Sequence, residues 1–533
     1  MERERLLQRL KAERFDLLVI GGGATGCGIA LDAAARGLQV ALVEREDFGS
    51  GTSSRSTKLI HGGVRYLEMA VKRLDRVQFH LVSDALRERS ILLRIAPHLT
   101  SWLPLFTPLY RAWDIPYYWA GLKLYDALAR GASPAPSRYV SSREARTRFP
   151  RVRPNGLRGG VLYLDGQFDD ARMNVALALT AIAHGAAAAN YVEVVGLAQR
   201  DGRAVSAEVR DCLGGSTWEI EARAIVNATG PWSDQVRRME QAGARPLLQV
   251  SSGAHLVVDQ TFWPSKAGLL IPRTEDGRVV FVLPWLGHTL IGTTEEQASP
   301  DLAPTAGAEA IDYLLRHANQ YLTHQVRPTD VKASWAGLRP LVGDPGKSDT
   351  AGLARDHVIV ESSGGMITIA GGKWTTYRKM AQDTVDFAVR RAALETAGPC
   401  RTSFLELTGA EGLAQSSADL LGSRFGLDPA AAKHLLRAYG GRAVQVLEQG
   451  SSARLTPGHP VVEAEVVWAA RQELAQTALD VLARRTRLAF VDHAAARAAL
   501  PRVIELLAPE LGWDKARRDR EMRETAEVVE RGL

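Results

Sequence analysis

The run Val19-Ile20-Gly21-Gly22-Gly23-Ala24-Thr25-Gly26, followed eighteen residues later by Glu44, constrains this chain more than any other feature. Phe15 to Ile20 is apolar and reads as a buried parallel strand. Thr25 to Arg36 has helical spacing, and Leu38 to Val43 reads as a second strand ending at Glu44. In such a βαβ unit Gly21 permits the tight turn, Gly23 lets the backbone approach a pyrophosphate, and Gly26 lets the helix pack closely on the strand. The free N–H groups of the helix start then face the phosphates. Glu44 can accept hydrogen bonds from both ribose hydroxyls and would repel a ribose phosphate, which favours FAD or NAD over NADP. A glycine-rich turn alone can be purely structural. The flanking strands and the acid are what make this one a dinucleotide site.

A chain of 533 residues exceeds what one hydrophobic core usually serves, so two or three domains are expected. Cys27, Cys212 and Cys400 lie far apart without any CxxC spacing, which suggests neither a disulfide framework nor a zinc site and fits a reducing cytoplasm. No metal ligand set is predicted. Residues 1–14 are charged and helical in pattern, without the apolar core of a signal peptide, and no run of eighteen apolar residues occurs. The expectation is a chain that neither spans a membrane nor is secreted. A net charge of +6, owed mainly to arginine, favours anionic substrates or anionic lipid surfaces and does not call for nucleic acid.

Residues 15–100, 151–244 and 351–399 are expected to build a discontinuous α/β nucleotide-binding domain. Residues 101–150 and 245–350 are expected to form substrate-binding or capping regions. The strand-like runs Val279 to Leu283 and Thr289 to Thr293 suit an antiparallel sheet there. Beyond residue 400 the chain becomes rich in Ala, Leu and Arg with helical spacing, broken by Pro429, Pro457, Pro460 and Pro501, and reads as a separate helical domain.

The loop after Glu44, Gly51-Thr52-Ser53-Ser54-Arg55-Ser56-Thr57-Lys58-Leu59-Ile60-His61-Gly62-Gly63-Val64-Arg65-Tyr66-Leu67-Glu68, is longer than a simple dehydrogenase needs. Its hydroxyls can bind flavin phosphates and ribityl oxygens, and its glycine pair lets backbone pass close to an isoalloxazine ring. Further blocks follow in Val226-Asn227-Ala228-Thr229-Gly230-Pro231-Trp232, Gly337-Leu338-Arg339-Pro340-Leu341 and Gly371-Gly372-Lys373-Trp374-Thr375-Thr376-Tyr377-Arg378-Lys379. With the Gly21 to Gly26 fingerprint, these blocks resemble, in order, those of the FAD-dependent glycerol-3-phosphate dehydrogenases of the respiratory type. Trp468 and Arg484-Arg485-Thr486 extend the likeness into the tail. Some relatives carry a calcium-binding EF-hand extension, for which this sequence has no loop.

The resemblance implies an FAD-binding Rossmann-like domain of the glutathione-reductase type, an antiparallel substrate domain and a C-terminal helical domain. It implies oxidation of sn-glycerol 3-phosphate to dihydroxyacetone phosphate. Gly21, Gly23, Gly26, Glu44, Thr52, Ser53, Ser54, Lys58, His61, Gly62, Gly63, Thr229, Gly230, Gly371, Gly372, Lys373, Trp374 and Thr375 are the expected cofactor residues. For the phosphate dianion, Arg65, Arg339 and Arg355 offer planar forks that can bind two oxygens at once, with Tyr66 beside Arg65. His255, in Ser251-Ser252-Gly253-Ala254-His255, is the expected base for the hydroxyl proton and a substrate contact. Ala254 replaces the Ser usual in the family. Lys373 and the Gly371-Gly372 turn are expected to stabilise negative charge on reduced flavin.

The sequence has no second nucleotide fingerprint, no iron–sulfur cysteines and no haem ligation pattern. The electrons are therefore expected to leave to a diffusible acceptor, which the family implies to be membrane quinone. The aromatic stretches Trp102 to Phe106 and Tyr117 to Trp119, with Arg111 and Lys123, are the expected contact with a membrane surface. The expected place is the cytoplasm, attached peripherally to the inner face of the cell membrane, with a homodimer as the expected assembly. The rival readings are a glycerol-3-phosphate oxidase that hands electrons to oxygen, an amine or amino-acid oxidase, and a flavin-binding adaptor without turnover.

Overall fold

The computed structural model describes residues 3–63, 76–129, 133–343, 357–394 and 396–533. Arg65, Tyr66 and Arg355 lie outside them.

Two sheets organise the molecule. The first has its strands in the order His357–Glu361, Ile367–Gly371, Thr217–Asn227, Phe15–Ile20, Val40–Val43, Ala187–Ala189. Phe15–Ile20 runs parallel to both neighbours, with Leu17 opposite Ala224 and Val40, and Ile20 opposite Asn227 and Val43. Phe15, Leu17, Leu18, Val19 and Ile20 are all buried, the continuous apolar pattern of a strand covered on both faces. The Ala24–Ala35 helix lies between the Asp170–Ala183 and Tyr377–Arg391 helices. Its Ala and Gly composition permits that close approach: a Cβ at Gly28 would meet the Tyr377 ring at 2.8 Å.

The second sheet is ordered Glu296–Ala298, Leu248–Asp259, His288–Gly292, Val280–Trp285, Gly268–Ile271, Thr100–Leu109, Gly159–Phe168, Leu59–Ile60, with Val331–Val342 also paired to Leu248–Asp259. All of its pairings are antiparallel except that between Gly268–Ile271 and Thr100–Leu109. Two parts of the expected division change here. Leu59–Ile60 and Gly159–Phe168, assigned by sequence to the nucleotide domain, pair with each other in this sheet. Strand partners are chosen by long-range pairing, which periodicity along one segment does not encode. Trp102 to Phe106 is likewise no surface: Leu103, Leu105 and Phe106 are buried in the strand that pairs with Gly159–Phe168.

Residues beyond 400 are predominantly helical. Pro501 does not break this domain as expected. It lies with Pro509 inside the His493–Leu511 helix, and both are exposed, so water can satisfy the carbonyls that lose their partners. The tail's arginines are not all on solvated faces. Arg484 and Arg485, on a π-helical turn at Asp480–Arg485, each reach Asp47 at 2.6 Å, while Arg172 makes a two-pronged pair with Glu473 at 2.6 and 2.7 Å. The helical domain is thus bolted by buried charge to the loop that follows Glu44. Among the described residues no helix is long and apolar enough to cross a membrane.

Candidate active site

Two cavities meet at Thr52, Pro340 and Gly371 to Trp374. The first runs over the carboxyl end of the parallel sheet, where loops leave the strands and a helix begins. Its floor is backbone. Gly21 has φ +105°, and a Cβ there would meet the Ala228 carbonyl oxygen at 2.8 Å. A Cβ at Gly26 would overlap the Gly21 carbonyl oxygen, so the helix can approach the strand only without one. The Ser53 hydroxyl accepts from the Ala24 N–H at 2.9 Å at the helix start. Glu44 accepts from the Gly22 N–H at 2.6 Å and the Glu46 N–H at 2.9 Å, an orientation that leaves it on the cavity wall. Burial pushes its carboxyl up from the ordinary range. Thr229 and Gly230 line the same wall, with Trp232 beneath the Arg45 guanidinium at 4.6 Å.

The second cavity lies between this floor and the antiparallel sheet. His255, Arg339, Lys373, His61, Gly63, Trp374 and Thr375 all line it. The imidazole of His255 stacks on Trp335, with ring centroids 5.3 Å apart, and its Nε2 lies 2.9 Å from Thr57 Oγ1. Burial pulls its pKa well below the ordinary histidine value, with the Lys58 and Arg339 cations pulling the same way. The ring is therefore neutral at physiological pH. Arg339 sits opposite Ser251 in the paired strands and donates from Nη1 to the Ser252 carbonyl at 3.3 Å, and from Nη2 to Thr293 Oγ1 and the Thr294 carbonyl at 3.1 Å each. Gly253 makes room for it, since a Cβ there would strike the guanidinium. Gly292 does the same for His255.

Trp374 donates from Nε1 to the Ser53 carbonyl at 2.9 Å, and the His61 N–H donates to Thr375 Oγ1 at 3.3 Å, so the 51–63 loop and the Gly371 block hold each other. The Gly62 N–H donates to the Tyr125 hydroxyl at 2.9 Å, and that hydroxyl donates on to Asp165.

Of the expected cofactor residues, Gly26, Ser54, Lys58 and Gly62 border neither cavity. Lys58 is fully buried and borders neither cavity: its ammonium donates to Asp170 at 2.7 Å and to the Ser54 carbonyl at 2.9 Å, among the rings of Trp285, Trp335 and Phe490. Burial lowers its pKa to about 7 against the opposing pull of Asp170. Ser54 is buried with it and serves through its carbonyl. Thr57, Thr293 and Trp335 carried no signal in the sequence because their meaning lies in neighbours brought from distant segments. Only the glycine two residues before His255 was a visible signal. Arg278, which lines the second cavity and donates to the Glu295 carbonyl at 2.5 Å, carried none.

Residues 16–378 match the family model described as FAD dependent oxidoreductase, and residues 400–518 match the C-terminal domain of alpha-glycerophosphate oxidase. The chain is 47% identical over 543 residues to a mitochondrial glycerol-3-phosphate dehydrogenase of Mus musculus, covering 98% of this chain and 74% of that protein. It is 46% identical over 549 residues to a mitochondrial glycerol-3-phosphate dehydrogenase of Arabidopsis thaliana, covering 98% and 87%. The crystal structure of the glycerol-3-phosphate dehydrogenase from Bacillus halodurans complexed with FAD superposes with a TM-score of 0.81 at 31% identity, covering 99% of this chain and 97% of that one.

Proposed function

The chain belongs to the FAD-dependent glycerol-3-phosphate dehydrogenases, and on that premise we propose that it oxidises the secondary alcohol of sn-glycerol 3-phosphate to the ketone of dihydroxyacetone phosphate, with membrane quinone as the final electron acceptor. FAD fits the first cavity. The bare strip at Gly21 and Gly26, the helix start at Ala24, the hydroxyl of Ser53 and the carboxylate of Glu44 match a pyrophosphate and a ribose diol in order. Gly371, Gly372, Lys373 and Trp374 would hold the end of the cofactor that reaches the second cavity. When bound, the flavin supplies the hydride acceptor.

The observation that carries the reading is the placing of a neutral imidazole, a clamped guanidinium and an ammonium on one cavity that adjoins the dinucleotide groove. The Arg339 fork binds the substrate phosphate and is pre-aimed by three acceptors, which limits the ordering it must undergo on binding. His255 takes the hydroxyl proton as the carbinol hydrogen departs, and Trp335 and Thr57 fix the ring plane. Lys373 offsets negative charge that develops at the cofactor end of the cavity. Arg339→Lys keeps the charge and removes the fork. KM for sn-glycerol 3-phosphate is then expected to rise about 10- to 100-fold with a smaller change in kcat, read from steady-state kinetics with a dye acceptor. A fall confined to kcat, with KM unchanged, would take Arg339 off the phosphate.

Support for attachment to a membrane surface comes from the Asp114–Leu128 helix. Trp113 is 88% exposed, Trp119 47% and Tyr117 42%, a cluster of interface-seeking rings, and Tyr118 between them lines the second cavity. Arg111 is exposed beside these rings and can meet anionic headgroups, whereas the Lys123 ammonium donates to the Ser137 carbonyl at 2.6 Å and faces Asp126 at 3.6 Å. Replacing Trp113 and Trp119 together by Ser is expected to lower binding to anionic vesicles about tenfold while dye-linked turnover persists. Unchanged vesicle binding would move the contact elsewhere.

The deciding experiment is anaerobic mixing of the FAD-loaded protein with sn-glycerol 3-phosphate while following oxidised-flavin absorbance. Prompt bleaching is expected. A spectrum that stays yellow would overturn the reading. Admitting air afterwards separates the acceptors, since rapid reoxidation with hydrogen peroxide would mark an oxidase, and reoxidation by a quinone analogue alone a dehydrogenase.

A further inference from the structure

Away from both cavities, two histidines and a carboxylate meet between the antiparallel sheet and the helical domain. His288 opens the His288–Gly292 strand, His459 sits in the loop before the Glu463–Gln472 helix, and Asp492 caps the start of the His493–Leu511 helix. One donor atom from each lies within 4.8 Å of the other two. The imidazoles are stacked, with centroids 5.6 Å apart and planes inclined by 6°. His459 and Asp492 are buried and His288 half-buried, so the group is sheltered yet reachable from solvent.

The hydrogen bonds settle which atoms are available. His288 Nδ1 lies 3.0 Å from the Leu286 carbonyl oxygen, which can only accept. Nδ1 therefore carries the proton and Nε2 the lone pair. An imidazole that donates its other N–H to a backbone carbonyl is the usual state of a metal-bound histidine. Asp492 divides its oxygens. Oδ1 accepts from the Ala495 N–H at 3.0 Å, which fixes the carboxylate, and Oδ2 faces His459 Nε2 at 3.6 Å and Lys332 Nζ at 3.1 Å.

We propose that His288, His459 and Asp492 form a binding site for a divalent transition ion of borderline softness, Zn²⁺ or its spectroscopic analogue Co²⁺, tying the helical domain to the antiparallel sheet. Two imidazole nitrogens and one carboxylate oxygen favour such an ion over Ca²⁺ or Mg²⁺, which take all-oxygen shells. Three protein ligands leave the fourth tetrahedral position to water. Donors about 2.0–2.1 Å from one tetrahedral ion stand roughly 3.3 Å apart, so the side chains close inward by rotation about their χ angles. Lys332 must yield its place on Oδ2. Its side chain is 35% exposed and can swing into solvent. Lys332 is thus the built-in competitor of the metal. The site is independent of the dehydrogenase reading, since none of these residues lines either cavity.

The test is titration of the full-length FAD-loaded protein with Co²⁺, following visible d–d absorption, with Zn²⁺ as competitor. One equivalent is expected to bind and to be displaced by Zn²⁺. His459→Gln is expected to weaken Co²⁺ binding at least about tenfold, and Lys332→Ala to tighten it several-fold, with flavin absorbance reporting that each variant is folded. No saturable Co²⁺ spectrum in the unaltered protein overturns the proposal, as does equal affinity in His459→Gln. Should His459→Gln lose its flavin, the Lys332→Ala variant decides: affinity that is unchanged or weaker removes the site.

Discussion

Replacing His255 by asparagine is expected to slow anaerobic flavin reduction by sn-glycerol 3-phosphate roughly a hundred- to ten-thousand-fold, the usual contribution of a positioned general base. Asparagine can still hydrogen-bond Thr57 in place of the imidazole but gives up the ring stacked on Trp335 together with the proton acceptor. Flavin content and substrate binding are expected to persist, and stopped-flow mixing separates those steps. The pH dependence carries the same signature. The accepting form is the neutral ring, and burial with two nearby cations holds the folded-state pKa well below the ordinary histidine value. The reduction rate is therefore expected to stay flat as pH falls from 8 to about 6.5, with its acid limb below that ordinary value. An Asn variant that reduces its flavin at the original rate would remove His255 from the chemistry.

Asp170→Ala is expected to cost about 3–5 kcal/mol of stability and to strip FAD from the protein. The carboxylate is fully buried and serves five donors. Oδ2 accepts from the Ser56 N–H at 2.9 Å, the Ser56 hydroxyl at 2.7 Å and the Lys58 ammonium at 2.7 Å, and Oδ1 from the Ala171 N–H at 2.9 Å and the Arg487 guanidinium at 3.1 Å. Removing it leaves Lys58 and Arg487 among apolar rings with only the more distant Asp169, 3.6 Å from the Arg487 guanidinium, as counter-charge. Lys58 and Arg487 also donate to the Ser54 carbonyl, so the damage passes into the loop that gives Ser53 to the first cavity and Thr57 to His255. Thermal unfolding and the ratio of flavin to protein are the readouts. Adding Lys58→Met to the Asp170→Ala variant is expected to recover part of the loss, because the orphaned ammonium goes with it. A single variant that melts at the original temperature with full flavin would show that the loop holds its shape without the hub.

Much of the fold was legible because its signals are local. The first strand was placed at Phe15 to Ile20 and is found there, since a strand covered on both faces is nearly all apolar, with the half-buried Asp16 as its one polar residue. The helix after it begins at Ala24, one residue from the expected start. The Gly371-Gly372 block was read as a turn before a helix, and both glycines have positive φ. What failed was non-local. Gly159–Phe168 lies beside Thr100–Leu109 and not with the parallel strands, and of the two expected aromatic stretches it is Tyr117 to Trp119, on the Asp114–Leu128 helix, that carries exposed rings.

The amino-acid sequence by itself determined the dinucleotide unit, the order of its blocks and the residue types that a phosphate-bearing alcohol requires. Each depends on a glycine, an acid or an arginine at short spacing, where backbone geometry leaves little choice. Only the tertiary structure decided which charges face a cavity and which are buried. Lys58 and His61 are three residues apart in one loop, yet one supports the fold against Asp170 and the other lines the second cavity. Nothing along the chain distinguishes them. Their difference is set by dielectric surroundings: the rings and carboxylate that enclose Lys58 arrive from Asp170, Trp285, Trp335 and Phe490, segments that meet only once the sheets and the helical domain have packed.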